Sequence, residues 1–253
     1  MASSKGAPTR LRDAAARRSD LGMVAKATKP GQGSAVLCSA GLDSAVLVAA
    51  ESAAGTRRVQ PVYVSVGLAW ETAELAMLER LLAAPCYAGV NAAARLTCDM
   101  RDVYASSHWA VRGEPPAYDT PDSDVYLAGR NAVLLAKVAV YCAHQDLGRI
   151  ALGTLADNPF PDATPEFLDA MARALSAGLA HEITVATPLA RSRKAEVVTL
   201  GVDLGVPLER TLSCMRPDGG RHCGLCSKCR ERRDAFSEAG VSDPAIYAAP
   251  SPR

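Results

Sequence analysis

Residues 35–54, AVLCSAGLDSAVLVAAESAA, decide the fold of this 253-residue chain. The stretch opens with a short apolar run typical of a buried strand, continues through the small-residue loop SAGLDS (39–44), and ends in an apolar helix. Such a loop brings several backbone N–H groups to the positive end of a helix dipole. It therefore predicts either a phosphate site or an ordinary strand–helix turn. Because no Gly-Lys-Ser/Thr follows, it is not a Walker loop.

Strand and helix patterns alternate beyond this stretch. Residues 59–66, 150–153 and 183–189 resemble buried strands, and the helices between them predict a parallel sheet covered on both faces. Ligands of open α/β sheets bind outside the carboxyl ends of the strands, where the polar loop 157–162 would lie. Residues 85–125 lack periodicity and are rich in proline, which is typical of a lid or substrate loop.

A second informative stretch, residues 212–236, reads LSCMRPDGGRHCGLCSKCRERRDAF. It carries four of the eight cysteines in the spacing C-x8-C-x2-C-x2-C, namely Cys214, Cys223, Cys226 and Cys229. Four thiolates at this spacing can surround one tetrahedral ion, and the flanking arginines and lysines would offset their charge. The alternatives are a redox Cys-x-x-Cys pair, a disulfide or an iron–sulfur cluster. The pattern favours structural zinc.

The composition of the whole chain limits the classes of function. With 22% charged residues and a net charge of +1, the chain offers no global argument for binding nucleic acid or a membrane. No apolar run approaches the roughly 18 residues of a membrane span, and the N-terminus does not resemble a secretory signal. We therefore expect a cytoplasmic protein. The basic residues 1–32 predict a disordered, solvated tail, with an RNA-binding arm as the alternative.

Together, the SAGLDS loop and the four-cysteine stretch resemble the 7-cyano-7-deazaguanine synthases, which are PP-loop ATP pyrophosphatases. The resemblance runs from about residue 34 to residue 247 and is also carried by YLAGRN (126–131), GTLADNPFPDATPEFL (153–168) and Lys194 in RKAEVV. The chain departs from the family pattern in two places. Ala40 stands where the family has a glycine, and VSVGLAWETAEL replaces the familiar Tyr-Gly-Gln-Arg-His segment, which indicates a divergent branch.

The resemblance implies a doubly wound parallel α/β sheet of the adenine-nucleotide α-hydrolase-like type. The ATP-binding domain would comprise residues 33–205, and a helical zinc module would comprise residues 206–247. The implied reaction converts 7-carboxy-7-deazaguanine and ammonia to the nitrile through adenylated intermediates, using ATP and Mg²⁺, for queuosine or 7-deazapurine biosynthesis. The expected partners are these small molecules and, at most, a second copy of the chain, without membrane or nucleic acid.

The resemblance also assigns site residues. The ATP loop would consist of Cys38, Ser39, Ala40, Gly41, Leu42, Asp43 and Ser44, and the catalytic set of Asp43, Ser44, Arg130, Asp162 and Lys194. For a flat deazapurine, we expect Phe160 or Trp109 to supply an aromatic wall. Asp162 or Asn158 would read the guanine-like edge, and Arg130 or Lys194 would hold the carboxylate.

Three alternative functions stay open at the level of sequence. A related PP-loop enzyme could thiolate RNA, but it would need a reactive cysteine, and the other four cysteines lie in apolar contexts that indicate packing. A second branch could join a deazapurine to a protein or another amine. The third alternative is a zinc-stabilised nucleic-acid-binding module that uses the basic tail and the arginine-rich zinc helix.

Overall fold

The computed structural model describes Gly31, residues 33–55 and residues 58–252. Except for Gly31, the predicted basic tail (1–32) lies outside the described residues. The strands are β1 (Gly33–Leu37), β2 (Arg58–Ser65), β3 (Ala94–Thr97), β4 (Arg149–Ala151) and β5 (Thr184–Ala186). The helices are α1 (Leu42–Ala53), α2 (Glu71–Leu82), α3 (Trp109–Arg112), α4 (Arg130–Gln145), α5 (Pro165–Leu179), α6 (Lys194–Asp203) and α7 (Ser227–Glu238). Within this part of the chain, no helix is long and apolar enough to cross a membrane.

The strands form one parallel sheet in the order β3-β2-β1-β4-β5. The chain moves outward from β1 to β3 and then returns past β1 to β4 and β5, so right-handed crossovers place the two sets of helices on opposite faces. In agreement, α1 packs against α6, and α4 packs against α5. The predicted doubly wound parallel sheet is confirmed, and its order reverses between β1 and β4.

One strand of the sheet was not predicted. β3 lies at the edge, and its four residues alternate between half-buried and exposed, so it has no apolar run to reveal it. The exposed Arg95 in this strand pairs with Glu79 of α2. A charged residue of this kind is common on an edge strand because it opposes pairing with another chain. Residues 85–125 otherwise contain turns, short helices and the four-residue α3, in keeping with their weak periodicity.

The C-terminal segment is joined to the α/β part through a buried arginine. Arg232 of α7 is fully buried; it donates to both carboxylate oxygens of Asp243, to Thr211 Oγ1 at 2.7 Å and to the Leu208 carbonyl at 3.0 Å. A buried guanidinium is stable only when its donors are satisfied. Arg232 therefore fixes α7 against the segment that leads from α6 into the cysteine-rich stretch.

The turn between β1 and α1 contains a non-glycine residue in the left-handed region. Ala40 has φ +59° and is fully buried, and its carbonyl accepts a 2.8 Å hydrogen bond from the Leu212 N–H. The Ser44 hydroxyl donates to the Gly41 carbonyl at 3.0 Å, which tightens the same turn. An L-residue in this conformation costs roughly 1–2 kcal/mol relative to glycine. This strain lies just before α1 and lowers the stability of the folded protein.

Replacing Ala40 with glycine should raise the free energy of unfolding by up to about 1 kcal/mol. The relief of backbone strain, about 1–2 kcal/mol, exceeds the loss of one buried methyl group, about 0.8 kcal/mol. Urea unfolding of the purified protein would measure the difference. The matched control is Ala45→Gly, which removes a fully buried methyl from the interior of α1 and should lower stability by about 1 kcal/mol or more. An equal decrease in the free energy of unfolding in both variants would show that Ala40 is not strained.

Candidate active site

A cleft opens at the carboxyl ends of β1 and β4, where the strand order reverses. It comprises a cavity of about 630 Å³ and a neighbouring cavity of about 290 Å³. Residues of the β1–α1 turn, of the first turn of α4 and of the loop after β4 line both cavities. This is the position at which open α/β sheets bind their ligands.

The start of α1 points into this cleft without a side-chain cap. Gly41 is the N-cap residue, and within the described part of the chain no side-chain cap bonds to the first turn of α1. Ser39, Gly41 and Asp43 line both cavities, and Ser44 lines the smaller one. The uncapped N–H groups and the helix dipole together favour an anion such as a phosphate. The structure therefore brings the predicted loop 39–44 to a site suited to its predicted ligand.

Lys194 is held between two carboxylates from different helices. Its Nζ lies 2.8 Å from Asp43 Oδ2 of α1 and 2.7 Å from Glu231 Oε1 of α7, and Glu231 also pairs with Lys228 at 2.6 Å. Burial alone would lower the pKa of Lys194, but the two carboxylates outweigh it and raise that pKa above its ordinary value. Lys194 is therefore a fixed cation in the cleft. The other carboxylate oxygen of Asp43, Oδ1, is buried and has no partner among the described residues.

Arg130, the first residue of α4, is a second cation in the cleft. It lines both cavities, and its buried Nε has no hydrogen-bond partner among the described residues. A buried N–H without a partner is costly, and an anionic ligand would satisfy it. Asp43, Lys194 and Arg130, which were predicted separately, thus face one cleft.

Asp162 is placed differently from the other predicted catalytic residues. It is buried and lines neither cavity, and its Oδ2 accepts the backbone N–H of Asn131 at 3.0 Å. It therefore caps the helix that begins with Arg130, while Thr164 caps α5 by accepting the Phe167 N–H. The role of Asp162 at a purine edge stays a prediction. Asn158, the alternative edge partner, lines both cavities.

Two stacked aromatic pairs reach the larger cavity. Trp109 stacks on Trp70 with ring centroids 5.9 Å apart, and Phe160 stacks on Tyr126 at 5.1 Å. Trp70, Trp109 and Phe160 all line the larger cavity. The two residues expected to form an aromatic wall are therefore both present, and Trp70 joins them unpredicted.

Glu74 lies in the cleft but was not among the residues predicted from the sequence. It lines both cavities although only 8% of it is exposed, and its Oε2 accepts the Tyr63 hydroxyl at 2.8 Å. Burial raises the pKa of Glu74 to about 7, against the opposing effects of the Arg130 charge and the Tyr63 hydroxyl. The sequence signal was a glutamate in the first turn of an amphipathic helix, and such glutamates are usually solvated.

The four cysteines of the C-terminal stretch come together as their spacing predicted. Their sulfurs all lie within 4.8 Å of one another and are buried, with 3.5 Å between Cys226 and Cys229 and 3.9 Å between Cys223 and Cys229. A tetrahedral ion bound at about 2.3 Å would set its sulfurs about 3.8 Å apart. Sulfurs at these distances leave room for one ion but not for several bridged irons. They are also too far apart for a disulfide, whose S–S bond is about 2.05 Å.

Comparison with known proteins identifies the family of this chain. Residues 34–240 match the family model described as "Queuosine biosynthesis protein QueC". A 7-cyano-7-deazaguanine synthase of Methanothrix thermoacetophila is 35% identical over 226 residues, which cover 83% of this chain and 96% of the relative. The synthase of Anaeromyxobacter dehalogenans is 35% identical over 235 residues, which cover 89% and 100% of the two chains. Since the match spans most of the described residues, including the loop 39–44 and all four clustered cysteines, this chain belongs to the QueC family.

Proposed function

We propose that this chain converts 7-carboxy-7-deazaguanine and ammonia to 7-cyano-7-deazaguanine at the expense of ATP. The observation that carries the proposal is the convergence of the uncapped start of α1, Lys194 and Arg130 on one cleft. Such a site is suited to a nucleoside triphosphate beside an anionic second substrate. The named relatives are 7-cyano-7-deazaguanine synthases, and the carboxylate of the same deazapurine is the second substrate that we propose.

The reaction requires two activations of the same carbon. An oxygen of the substrate carboxylate attacks the α-phosphorus of ATP and pyrophosphate leaves; ammonia then displaces AMP to give the amide. The amide oxygen attacks a second ATP, and loss of AMP with the remaining N–H protons leaves the nitrile. In both activations, negative charge grows on the departing pyrophosphate, where the fixed ammonium of Lys194, the guanidinium of Arg130 and the N–H groups of α1 would stabilise it.

The charges around the larger cavity favour a divalent cation beside ATP. Seven carboxylates line it against five cationic side chains, so a polyanion would enter a region that already has excess negative charge. The acids are Asp43, Glu74, Asp122, Asp157, Glu231, Asp234 and Glu238, and the cations are Arg130, Arg193, Lys194, Lys228 and Arg230. The unpartnered Oδ1 of Asp43 is an oxygen ligand of the kind Mg²⁺ prefers. Mg²⁺ would neutralise phosphate charge there.

The four clustered cysteines would hold Zn²⁺ in a structural role. All four positions of a tetrahedral site are protein thiolates, so no position is open for water or substrate. The metal would fix the start of α7, because Cys226 immediately precedes this helix and Cys229 lies in its first turn. Glu231, two residues further on, is the partner of Lys194. The zinc would thus act on the cleft by positioning α7.

The substrate would use the remaining surfaces of the cleft. Trp109 and Phe160 offer flat apolar faces for a deazapurine, and Asn158 offers an amide to its hydrogen-bonding edge. Arg130 would hold the carboxylate because its Nε is unsatisfied. Asp162 would act through Arg130, since it caps the helix that presents the guanidinium.

Two of the alternative functions lack support in the cleft. Cys38 is the cysteine at the start of the ATP loop, but burial raises the pKa of its thiol to about 11, so it would stay protonated and unreactive as an RNA-thiolating nucleophile. The arginines of the zinc helix are occupied within the protein. Arg232 is fully buried, and Arg233 stacks on Tyr247 at 3.9 Å and donates to the Gly224 carbonyl. Conjugation to another amine would use the same first activation and differ only in the acceptor.

Incubation of the purified protein with ATP, Mg²⁺, ammonium and 7-carboxy-7-deazaguanine tests the proposal, with the products followed by mass spectrometry. We expect the nitrile to appear together with AMP and pyrophosphate, and only when ammonium is supplied. An adduct with a larger amine and no nitrile would support conjugation instead. Absence of AMP formation with this carboxylate would contradict the proposed reaction.

Replacing Asp43 with asparagine should reduce carboxylate-dependent exchange of pyrophosphate into ATP by about 30- to 1000-fold, because a charged partner in a closed site contributes about 2–4 kcal/mol. Zinc content should change little, because the four cysteines are untouched, whereas the melting temperature should fall, because Lys194 keeps only Glu231 as a partner. The control is Asp203→Asn, at an exposed position near the end of α6, which should leave exchange unchanged. Near-normal exchange in Asp43→Asn would remove this carboxylate from the mechanism.

Replacing Cys226 with serine should give insoluble or metal-free protein, because loss of one thiolate removes folding energy supplied by the metal. Elemental analysis of the wild type should return one zinc per chain. The control is Cys98→Ser, at a partly buried cysteine outside the cluster, which should keep the full zinc content. Iron with sulfide in the wild type, or no metal, would contradict a zinc site.

A further inference from the structure

Glu74 differs from the other acids of the larger cavity. Asp43, Asp122, Glu231, Asp234 and Glu238 each lie within 4 Å of a lysine or arginine nitrogen. Asp157 is exposed to solvent. Among the described residues that line this cavity, Glu74 is the one buried carboxylate without an ion pair. Burying a carboxylate without a cation costs folding free energy. Such a carboxylate in a ligand cleft is therefore a candidate for a role in the chemistry.

The surroundings of Glu74 place it at the junction of the two cavities. Tyr63 of β2 donates its hydroxyl to Oε2 at 2.8 Å, which fixes the carboxylate within the cleft. Arg130 of α4 lines the same two cavities and bears an unpartnered Nε. Glu74 and Arg130 therefore line the same two cavities without forming an ion pair with each other. A ligand whose carboxylate binds Arg130 would carry its reacting carbon close to Glu74.

The proposed reaction requires a proton acceptor at this point. The nitrogen enters as ammonia with three protons and leaves in the nitrile with none, so each N–H proton must be removed in the cleft. The first activation needs no base, because the substrate carboxylate is already ionised at neutral pH. The demand for a base therefore falls on the nitrogen steps alone.

We propose that Glu74 is the general base of these nitrogen steps, an inference that rests on the proposed function. When ammonia has added to the acyl adenylate, Glu74 takes a proton from nitrogen as the C–O bond to AMP breaks and the amide forms. After the second activation, the nitrogen still bears two protons. Glu74 takes the first to give the neutral imidate, and it takes the second as the second C–O bond breaks and the C≡N bond is completed. Between these events, the protonated carboxyl gives its proton to solvent.

The charged and titratable groups that face Glu74 set the pH at which it can act. They are Tyr63 from β2, Arg130 from α4, Glu71 from its own helix, α2, and the buried thiol of Cys38 next to β1. Burial raises the pKa of Glu74 to about 7, while Arg130 and Tyr63 oppose the rise and Glu71 adds to it. Because a base must be deprotonated, the rate of the nitrogen steps should increase as the pH rises through about 7. An acceptor that titrates near the working pH is the effective kind.

The test compares two measurements on the full-length protein. Pyrophosphate exchange driven by the carboxylate reports the first activation, and nitrile formation reports the whole sequence. Glu74→Gln should slow nitrile formation by about 10²- to 10⁴-fold, and by at least tenfold more than it slows exchange. Glu74→Asp should restore part of the rate. Tyr63→Phe removes the hydrogen bond that stabilises the carboxylate, so the rising limb of the pH profile should move to higher pH.

The matched control is Glu71→Gln on the same helix. Glu71 is equally buried but accepts from the Ser65 hydroxyl and from the N–H groups of Val66 and Gly67. Its loss should therefore reduce stability and lower both measurements alike. Nitrile formation by Glu74→Gln at the wild-type rate, or a parallel fall of both measurements as in the control, would overturn the role of Glu74. If the wild-type protein showed no carboxylate-dependent pyrophosphate exchange, the proposed function itself would be contradicted.

Discussion

The ammonium group of Lys194 lies between the carboxylates of Asp43 and Glu231, and the arrangement of the cleft depends on these two contacts. They join three helices, because Asp43 belongs to α1, Lys194 begins α6 and Glu231 belongs to α7. All three side chains are at most one quarter exposed, so solvent screens them only in part. Without the ammonium, two carboxylates would face each other across the cleft. The lysine thus sets the distance between the start of α1 and the cysteine-bearing helix.

A second contact reinforces this coupling from the backbone. The left-handed conformation of Ala40 presents its carbonyl to the N–H of Leu212, two residues before the first clustered cysteine. Strained backbone of this kind persists where the surrounding structure over-determines it, and it is common at functional sites. The departure from the family's glycine therefore leaves the turn geometry in place at a cost in stability. The start of α1 is therefore positioned by a contact with the segment that leads into the cysteine cluster.

The local parts of this structure could be predicted from the sequence, and the unpredicted parts depend on tertiary contacts. Apolar runs revealed the central strands, and the spacing of the cysteines predicted their convergence. β3 was missed because a half-exposed edge strand has no apolar run. Glu74 was missed because burial, and not its position on the helix, makes it unusual. The cap that Asp162 forms on α4 was not predicted, because it joins residues 31 positions apart and no local pattern indicates it.

The central claim is that this cleft adenylates its substrate twice, first on the carboxylate oxygen and then on the amide oxygen, and oxygen labelling tests it most directly. The purified protein would receive 7-carboxy-7-deazaguanine with ¹⁸O in both carboxylate oxygens, together with unlabelled ATP, Mg²⁺ and ammonium. The account predicts two molecules of AMP for each nitrile, each AMP carrying one ¹⁸O, and unlabelled pyrophosphate. Label in inorganic phosphate accompanied by ADP, or AMP without label, would contradict adenylation of the substrate in this cleft.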